Sequence, residues 1–117
     1  MEIYIITIMK RDSMKEITIP FNDWSKDRLK TGMKCATSRN KQYGEIGDIF
    51  RFDGFVYKIT GIAHIPLWFI RAYLYESEGC ETMDEFVEIW CQIHPIKGWD
   101  EHQLVWYHLF EIHTKEG

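Results

Sequence analysis

One short segment carries three residue types that amide or phosphate chemistry uses. Residues 32–39 read GMKCATSR, so Lys34, Thr37 and Arg39 follow one another at spacings of three and two. A threonine hydroxyl can act as a nucleophile, and a lysine whose pKa is lowered by burial or by a nearby cation can accept its proton. An arginine can hold a phosphate or a carbonyl oxygen. The segment therefore predicts a site for amide hydrolysis or for phosphate recognition.

The backbone must meet a condition before these side chains can act together. On a regular strand Thr37 and Arg39 share a face, whereas Lys34 lies on the opposite face. Lys34 and Thr37 therefore converge only if the chain bends between them. Amide cleavage also needs a proton donor for the leaving amine, and a partly protonated carboxyl group of Glu76 or Glu78 could supply it.

Two aromatic residues and an excess of positive charge surround this segment. Trp24 and Tyr43 flank it, and aromatic rings stack on single-stranded or flipped nucleobases. Residues 10–41 contain nine lysines and arginines against four acidic residues, a charge of +5. The whole chain carries −4, so the remainder carries −9. This imbalance predicts an anion-facing patch inside an acidic protein, to which an RNA strand could bind.

Composition excludes several classes of protein. A chain of 117 residues with a net charge of −4 and 15% aromatic residues is neither a generic polyanion binder nor a disordered protein. Its apolar run at 3–9 is far shorter than the roughly 20 residues that span a bilayer. We see no secretory signal, and the three cysteines show no C-x-x-C spacing. These features predict a cytoplasmic protein with reduced thiols and no membrane association.

The histidines and cysteines do not predict a metal site. The five histidines show no H-x-x-x-H pair, and His108 and His113 fall on opposite faces of one predicted strand. Cys91 and His94 are close in the chain but lack the rest of a zinc pattern. We therefore expect neither a metal nor another cofactor, and the sequence leaves the oligomeric state open.

Turn and capping signals divide the chain into strands and helices. Asn22 or Asp23 can cap a helix that Gly32 stops, and Asp53-Gly54 between two apolar runs indicates a hairpin. Thr82 and Glu85 have the spacing of a capping box. The predicted strands are 2–9, 16–21, 49–52, 55–62 and 103–112, and the predicted helices are 22–29, 66–79 and 82–94.

This order of elements favours an α+β protein. Its strands do not alternate regularly with helices, which argues against a parallel α/β sheet. We expect a small, curled, mostly antiparallel sheet or barrel with inserted short helices. No linker or repeat interrupts the sequence, so a single domain over 1–117 is predicted.

Several motifs resemble the ASCH domain family of the PUA-like β-barrel superfamily. The segment GMKCATSR matches the family's G-x-K-x-x-T-x-R signature, and Gly47-Asp48-x-Phe50 is similar to its G-D motif at the start of a barrel strand. Further matches are Phe21, Trp24, Leu29, Glu78-Gly79, Phe86, Trp90, His94-Pro95 and Phe110. The resemblance covers about residues 16–112, departs from the family at Cys80, and leaves the strand at 2–9 as an addition.

The resemblance implies a PUA-like antiparallel β-barrel and locates the site better than it defines the reaction. Its E-G match favours Glu78 over Glu76, and it implies an RNA- or nucleotide-binding cleft lined by Lys34, Thr37, Arg39 and Glu78. One small bacterial branch of the family contains N4-acetylcytidine amidohydrolases that use lysine, threonine and glutamate. An amidohydrolase with Lys34, Thr37 and Glu78 as catalytic residues is therefore an alternative, as are a ribonuclease and a protein–protein adaptor.

Overall fold

The computed structural model describes residues 14–116 and has a four-stranded antiparallel sheet at its centre. The spatial order is β1-β4-β3-β2, so the long strands β3 and β4 are central and the short strands β1 and β2 form the edges. The strands are β1 (Ala36–Arg39), β2 (Ile49–Phe52), β3 (Phe55–Pro66) and β4 (Leu104–Lys115). Within the described residues the sheet is a curled half-barrel, which confirms the α+β class.

Over residues 14–116 three α-helices pack beside the sheet, and two of them begin at the predicted caps. They are α1 (Asp23–Lys30), α2 (Leu67–Phe69) and α3 (Met83–Ile93). The side chain of Asn22 accepts a hydrogen bond of 2.8 Å from the Ser25 N–H, and Thr82 accepts one of 3.0 Å from the Glu85 N–H. Each bond satisfies an amide that a helix start would otherwise leave without a partner. Between residues 14 and 116, no helix has the length and apolarity needed to cross a bilayer.

The hairpin between β2 and β3 forms where the sequence predicts it. Asp53 has φ of 52° and Gly54 has φ of 79°, which are the two left-handed residues of a type I′ turn. The register pairs Phe52 with Phe55 and Phe50 with Tyr57. The two rings of the latter pair stack with centroids 5.2 Å apart.

The predicted strand at 16–21 is wrong. Only Glu16 pairs with the sheet, through an isolated parallel bridge to Ile49. The pairing ends at Ile17, where the Ile17 amide donates to the Ile49 carbonyl, and Ile19 is then buried in the core without strand structure. The strand predicted at 2–9 lies outside the described residues.

The predicted helix at 66–79 is also shorter and less regular than expected. After α2 the chain forms a π-helical segment, Ile70–Leu74. The amides of Ser77, Glu78 and Gly79 then bond to carbonyls three residues earlier, at 3.1, 3.2 and 3.0 Å. These tight turns replace the helical hydrogen bonds to the fourth residue back and end the helix before Gly79.

Apolar side chains lie on both faces of the sheet and form two cores. Val105 and Tyr107 of β4 face one core, with α3 and the start of β1, whereas Phe110 faces the other, with β2 and α1. Leu104, Trp106, His108, Phe110 and Ile112 alternate along β4 with Val105 and Tyr107 and so lie on the opposite face. Of this set His108 and Phe110 are buried, whereas Leu104 and Ile112 at its two ends are exposed.

Candidate functional site

A cavity of about 380 Å³ lies at the open edge of β1. Its walls come from α1 and the residues before it, β1 and the loop that follows, the turn at 78–80, and α3. Because β1 is an edge strand, side chains from both of its faces reach the cavity. All six site residues predicted from the sequence line it, namely Trp24, Lys34, Thr37, Arg39, Tyr43 and Glu78.

The chain bends between the end of α1 and the start of β1, and Lys34 and Thr37 line the same cavity on either side of this bend. Gly32 has φ of 77°, and the amides of Met33 and Lys34 both donate to the Arg28 carbonyl, at 2.9 and 3.2 Å. Lys34 therefore precedes the strand and does not follow its alternation. Its side chain points inward and is 3% exposed.

A buried ion pair joins Lys34 to the turn at 78–80. Lys34 Nζ lies 3.3 Å from Glu78 Oε1 and donates to the Glu78 carbonyl at 3.0 Å. The hydroxyl of Ser38 donates to Glu78 Oε2 at 2.6 Å. Both carboxylate oxygens thus have donors, as a buried charge requires. Glu76, the alternative carboxylate, is exposed and does not line the cavity.

Backbone contacts explain why Glu78 reaches this position. The Ser77 carbonyl accepts from the amides of Cys35 and Ala36, at 2.8 and 2.9 Å, which ties the turn to the start of β1. Gly79 has φ of +96°, and a Cβ there would lie 3.2 Å from the Lys34 Cβ. Only glycine allows this close approach in this conformation, so Gly79 packs the turn directly against Lys34.

Thr37 and Arg39 share a face of β1, as their spacing predicts. Arg39 Nε donates to Thr37 Oγ1 at 2.9 Å, so Thr37 is held as an acceptor and its own hydroxyl proton is available to another base. Thr37 is 3% exposed, whereas Arg39 is half-buried at the cavity wall.

His108 supports this wall from β4. Its ring is fully buried, its Nε2 accepts from the Tyr43 N–H at 2.9 Å, and its Nδ1 lies 3.1 Å from the Thr37 carbonyl. These partners require the proton to sit on Nδ1, so the ring is neutral. Burial lowers the pKa of His108, in agreement with that state. The histidine thus links the backbone of Thr37 to that of Tyr43.

Burial also shifts the pKa of the cationic groups. The pKa of Lys34 is lowered mainly by burial, and the opposing charge of Glu78 only partly restores it. Arg39 adds to the lowering. The pKa of Arg39 itself is lowered by burial, and the pKa of the Cys80 thiol is raised by burial to about 12. Burial therefore favours the neutral form of Lys34 against the charge of Glu78, whereas it keeps the Cys80 thiol protonated.

The two aromatic residues that flank the motif already contact cations. Arg28 and Lys34 lie 5.0 and 5.9 Å from the Trp24 ring centroid. Arg39 and Lys41 lie 5.5 and 4.9 Å from the Tyr43 centroid. Base stacking on these rings stays a prediction, and their observed role is to hold positive charge at the cavity by cation–π contact.

Ser38, Trp90 and His94 are residues of the cavity wall to which sequence reasoning gave no role in the site. Ser38 has no distinguishing sequence signal, since its role depends on Glu78 lying beside β1. Trp90 and His94 belong to the family resemblance, but they had no assigned role in the site. Their rings pack with centroids 4.2 Å apart where α3 ends, and both line the cavity. In residues 14–116, no three histidine, cysteine or acidic side chains are grouped in a way that could hold a metal ion.

Known structures share this fold. An ASCH domain from Lactobacillus crispatus JV V101 is similar with a TM-score of 0.50 and 14% identity, and the match covers 95% of this chain and 90% of that one. Protein EF3133 from Enterococcus faecalis V583, assigned to family DUF984, has a TM-score of 0.56 and 17% identity, with coverage of 96% of this chain and 88% of that one. Hypothetical protein PH0355 has a TM-score of 0.57 and 19% identity, with coverage of 79% of this chain and 94% of that one. No family profile and no curated protein sequence matches the chain.

These likenesses define the class of fold. The chain has the ASCH-type, PUA-like fold that its motifs predict, with the half-barrel and short helices described above. At identities below 20% they show the fold alone, and function must be argued from the site.

Proposed function

We propose that the cavity binds one nucleoside unit, either free or within RNA. The observation that carries this proposal is the convergence of Lys34, Ser38 and Glu78 on an enclosed space of about 380 Å³. A pocket with mainly apolar walls and a few convergent polar groups is typical of small-ligand recognition. A cavity of this volume can hold one nucleoside but is too small for a folded part of another macromolecule.

The polar groups suit a cytosine-like edge. A carboxylate accepts from the exocyclic amine of cytosine, and an ammonium group donates to a neighbouring ring or carbonyl acceptor. Glu78 and Lys34 offer this acceptor and donor side by side, and Ser38 fixes the carboxylate. Because the two groups already satisfy each other, a ligand must exchange hydrogen bonds with them and not simply add new ones.

Equilibrium titration tests the proposal. We expect cytidine or a short single-stranded RNA to bind, and Glu78→Gln to weaken that binding because an amide replaces the carboxylate acceptor. Glu76→Gln is the matched control, since it makes the same change two residues away on an exposed side chain. Undetectable binding of both ligands to a folded wild-type protein would contradict the proposal.

A second candidate function, amide hydrolysis of an N4-acylated cytidine, is favoured by the environment of Thr37. A neutral Lys34 would take the Thr37 hydroxyl proton while Oγ1 attacks the acyl carbon. Arg39, which already bonds Oγ1, would stabilise the oxyanion. The C–N bond then breaks, and the cytosine amine takes a proton from the Lys34–Glu78 pair. Water finally releases the acyl group from Thr37.

Product analysis separates the enzymatic alternatives. Release of acetate and cytidine from N4-acetylcytidine supports the amidohydrolase. Shortened RNA with intact nucleosides supports the ribonuclease, for which His94, a histidine of the cavity wall, is a candidate base. Binding without turnover leaves the cavity as a recognition site only.

A further inference from the structure

Two cations at the cavity have no acidic partner. Within residues 14–116, Lys34 pairs with Glu78 and Arg28 with Glu85, whereas no carboxylate lies within ion-pairing distance of Arg39 or Lys41. Arg39 is half-buried, and its contacts with the Thr37 hydroxyl and the Tyr43 ring do not neutralise its charge. Such a guanidinium gains much from an anionic ligand.

The charge of the whole lining points in the same direction. The side chains that line the cavity include three cations, Lys34, Arg39 and Lys41, and a single carboxylate, Glu78. Two positive charges therefore remain, although the chain as a whole carries −4. The excess positive charge lies on Arg39 and Lys41, because Lys34 and Glu78 neutralise each other. A positively charged cavity in a protein of negative net charge attracts an anionic ligand.

The tyrosine between these cations is fixed in place. Arg39 and Lys41 lie 5.5 and 4.9 Å from the Tyr43 ring centroid, and the Tyr43 amide donates to His108. Arg39 Nε is held by Thr37 and the guanidinium also hydrogen-bonds the Tyr43 side chain, which leaves further terminal N–H groups as donors for a ligand. Two cations are thus held beside one rigid ring at the exposed end of the cavity, while Lys34 lies buried deeper.

We propose that Arg39, Lys41 and Tyr43 form a phosphate subsite, so that the ligand of the cavity is a phosphorylated nucleoside. The proposal rests on the nucleoside-binding function above and narrows its ligand class. Arg39 presents a planar donor set to the phosphate oxygens, and Lys41 adds a mobile point charge. The phosphate belongs either to a free mononucleotide or to an RNA chain, because both present the same ester.

The experiment compares ligands that differ only in phosphate. Cytidine and cytidine 5′-monophosphate are titrated into wild-type protein, Lys41→Ala and Lys30→Ala by calorimetry at low salt. Lys30 is the matched control because it is an exposed lysine at the end of α1 that does not line the cavity. We expect wild-type protein to prefer the monophosphate by about tenfold, the worth of one charge-assisted hydrogen bond. Lys41→Ala removes most of this preference, measured as the ratio of the two affinities, whereas Lys30→Ala retains it.

A further titration with an oligonucleotide identifies the source of the phosphate, and particular outcomes would overturn the proposal. A single-stranded cytidine oligonucleotide bound more tightly than the monophosphate, and weakened by Lys41→Ala, assigns the phosphate to RNA; the opposite order assigns it to a mononucleotide. Equal affinities for cytidine and its monophosphate, or equal losses in Lys41→Ala and Lys30→Ala, overturn the phosphate subsite. If none of these ligands binds, the nucleoside-binding function itself is wrong.

Discussion

Lys34 Nζ and Glu78 Oε1 lie 3.3 Å apart inside the protein, although 44 residues separate them in the chain. Their side chains are 3% and 6% exposed. A buried ion pair gains little stability over an apolar pair of the same volume, because both charges lose their hydration. The ion pair is therefore better explained by a role in ligand binding or catalysis than by a contribution to stability. The influence of Glu78 on Lys34 can be measured directly through the pKa of Lys34.

The first prediction concerns the pKa of Lys34. Burial lowers it from 10.5, and the Glu78 charge is the largest influence that opposes this lowering. Glu78→Gln removes that charge, so the pKa of Lys34 should fall further, and more of the neutral amine should be present at a given pH. A pH titration of the Lys34 Nζ signal by ¹⁵N NMR measures this. An unchanged or raised pKa would mean that Glu78 does not govern Lys34, and Glu76→Gln should leave the pKa at its wild-type value.

The second prediction concerns Thr37 and holds if the cavity hydrolyses N4-acylcytidines. Thr37→Val keeps the shape of the side chain but removes the hydroxyl, so turnover should be abolished while the fold persists. Lys34→Ala should abolish turnover as well, and the double variant should lose no more than either single one, because the two residues act as one unit. Product formation by chromatography measures the loss. Residual turnover near the wild-type rate in Thr37→Val would exclude this nucleophile.

Much of the fold could be predicted because its signals are local. Asn22 and Thr82 cap helices through side chains three residues from the amides they bind, and Asp53-Gly54 sets a hairpin by its own backbone preferences. The strand at 16–21 failed because its alternating residues pack into a core as an irregular segment. An apolar pattern alone does not tell a paired strand from an unpaired one.

The site was harder to predict because it depends on contacts between distant segments. The motif predicted Lys34, Thr37 and Arg39 as site residues. Their position around one cavity depends on a bend that involves Gly32 and the Arg28 carbonyl. Ser38 received no role because its partner comes from a turn 40 residues later. The roles of Lys34, Thr37 and Glu78 in catalysis stay predictions, as do RNA binding and cytoplasmic location.

The third prediction concerns His108 and the dependence of stability on pH. Burial lowers its pKa below the ordinary 6.5, so the folded protein binds fewer protons than the unfolded chain once the pH falls below that value. Its contribution to stability is fully present above about pH 6.5 and is lost as the pH falls toward the lowered pKa. His108→Gln keeps an acceptor for the Tyr43 amide but cannot titrate, so its unfolding free energy should fall less steeply below pH 6.5.

Urea unfolding at several pH values measures the difference between the two proteins. The lowered pKa of His94 adds a loss of the same sign in both, so it cancels in the comparison. Parallel curves for wild-type protein and His108→Gln would contradict the neutral, buried state of His108.

The fourth prediction separates structural support from the site. Thr82 caps α3 through the Glu85 amide, at 3.0 Å, and does not line the cavity. Thr82→Ala should cost about 0.5–2 kcal/mol of unfolding free energy, the usual worth of such a cap. Ligand affinity should stay at its wild-type value when measured well below the melting temperature. A large loss of affinity at unchanged stability would mean that the site is elsewhere.

The most direct test of the nucleoside-binding cavity uses the tryptophans as position markers. Trp24 and Trp90 line the cavity, whereas Trp68 and Trp106 do not. A ¹H–¹⁵N NMR titration with cytidine 5′-monophosphate follows the indole N–H signals of all four. We predict saturable shifts of the Trp24 and Trp90 signals with little change at Trp68 and Trp106. Shifts confined to Trp68 or Trp106, or no shift at any indole at saturating ligand, would contradict a ligand site in this cavity.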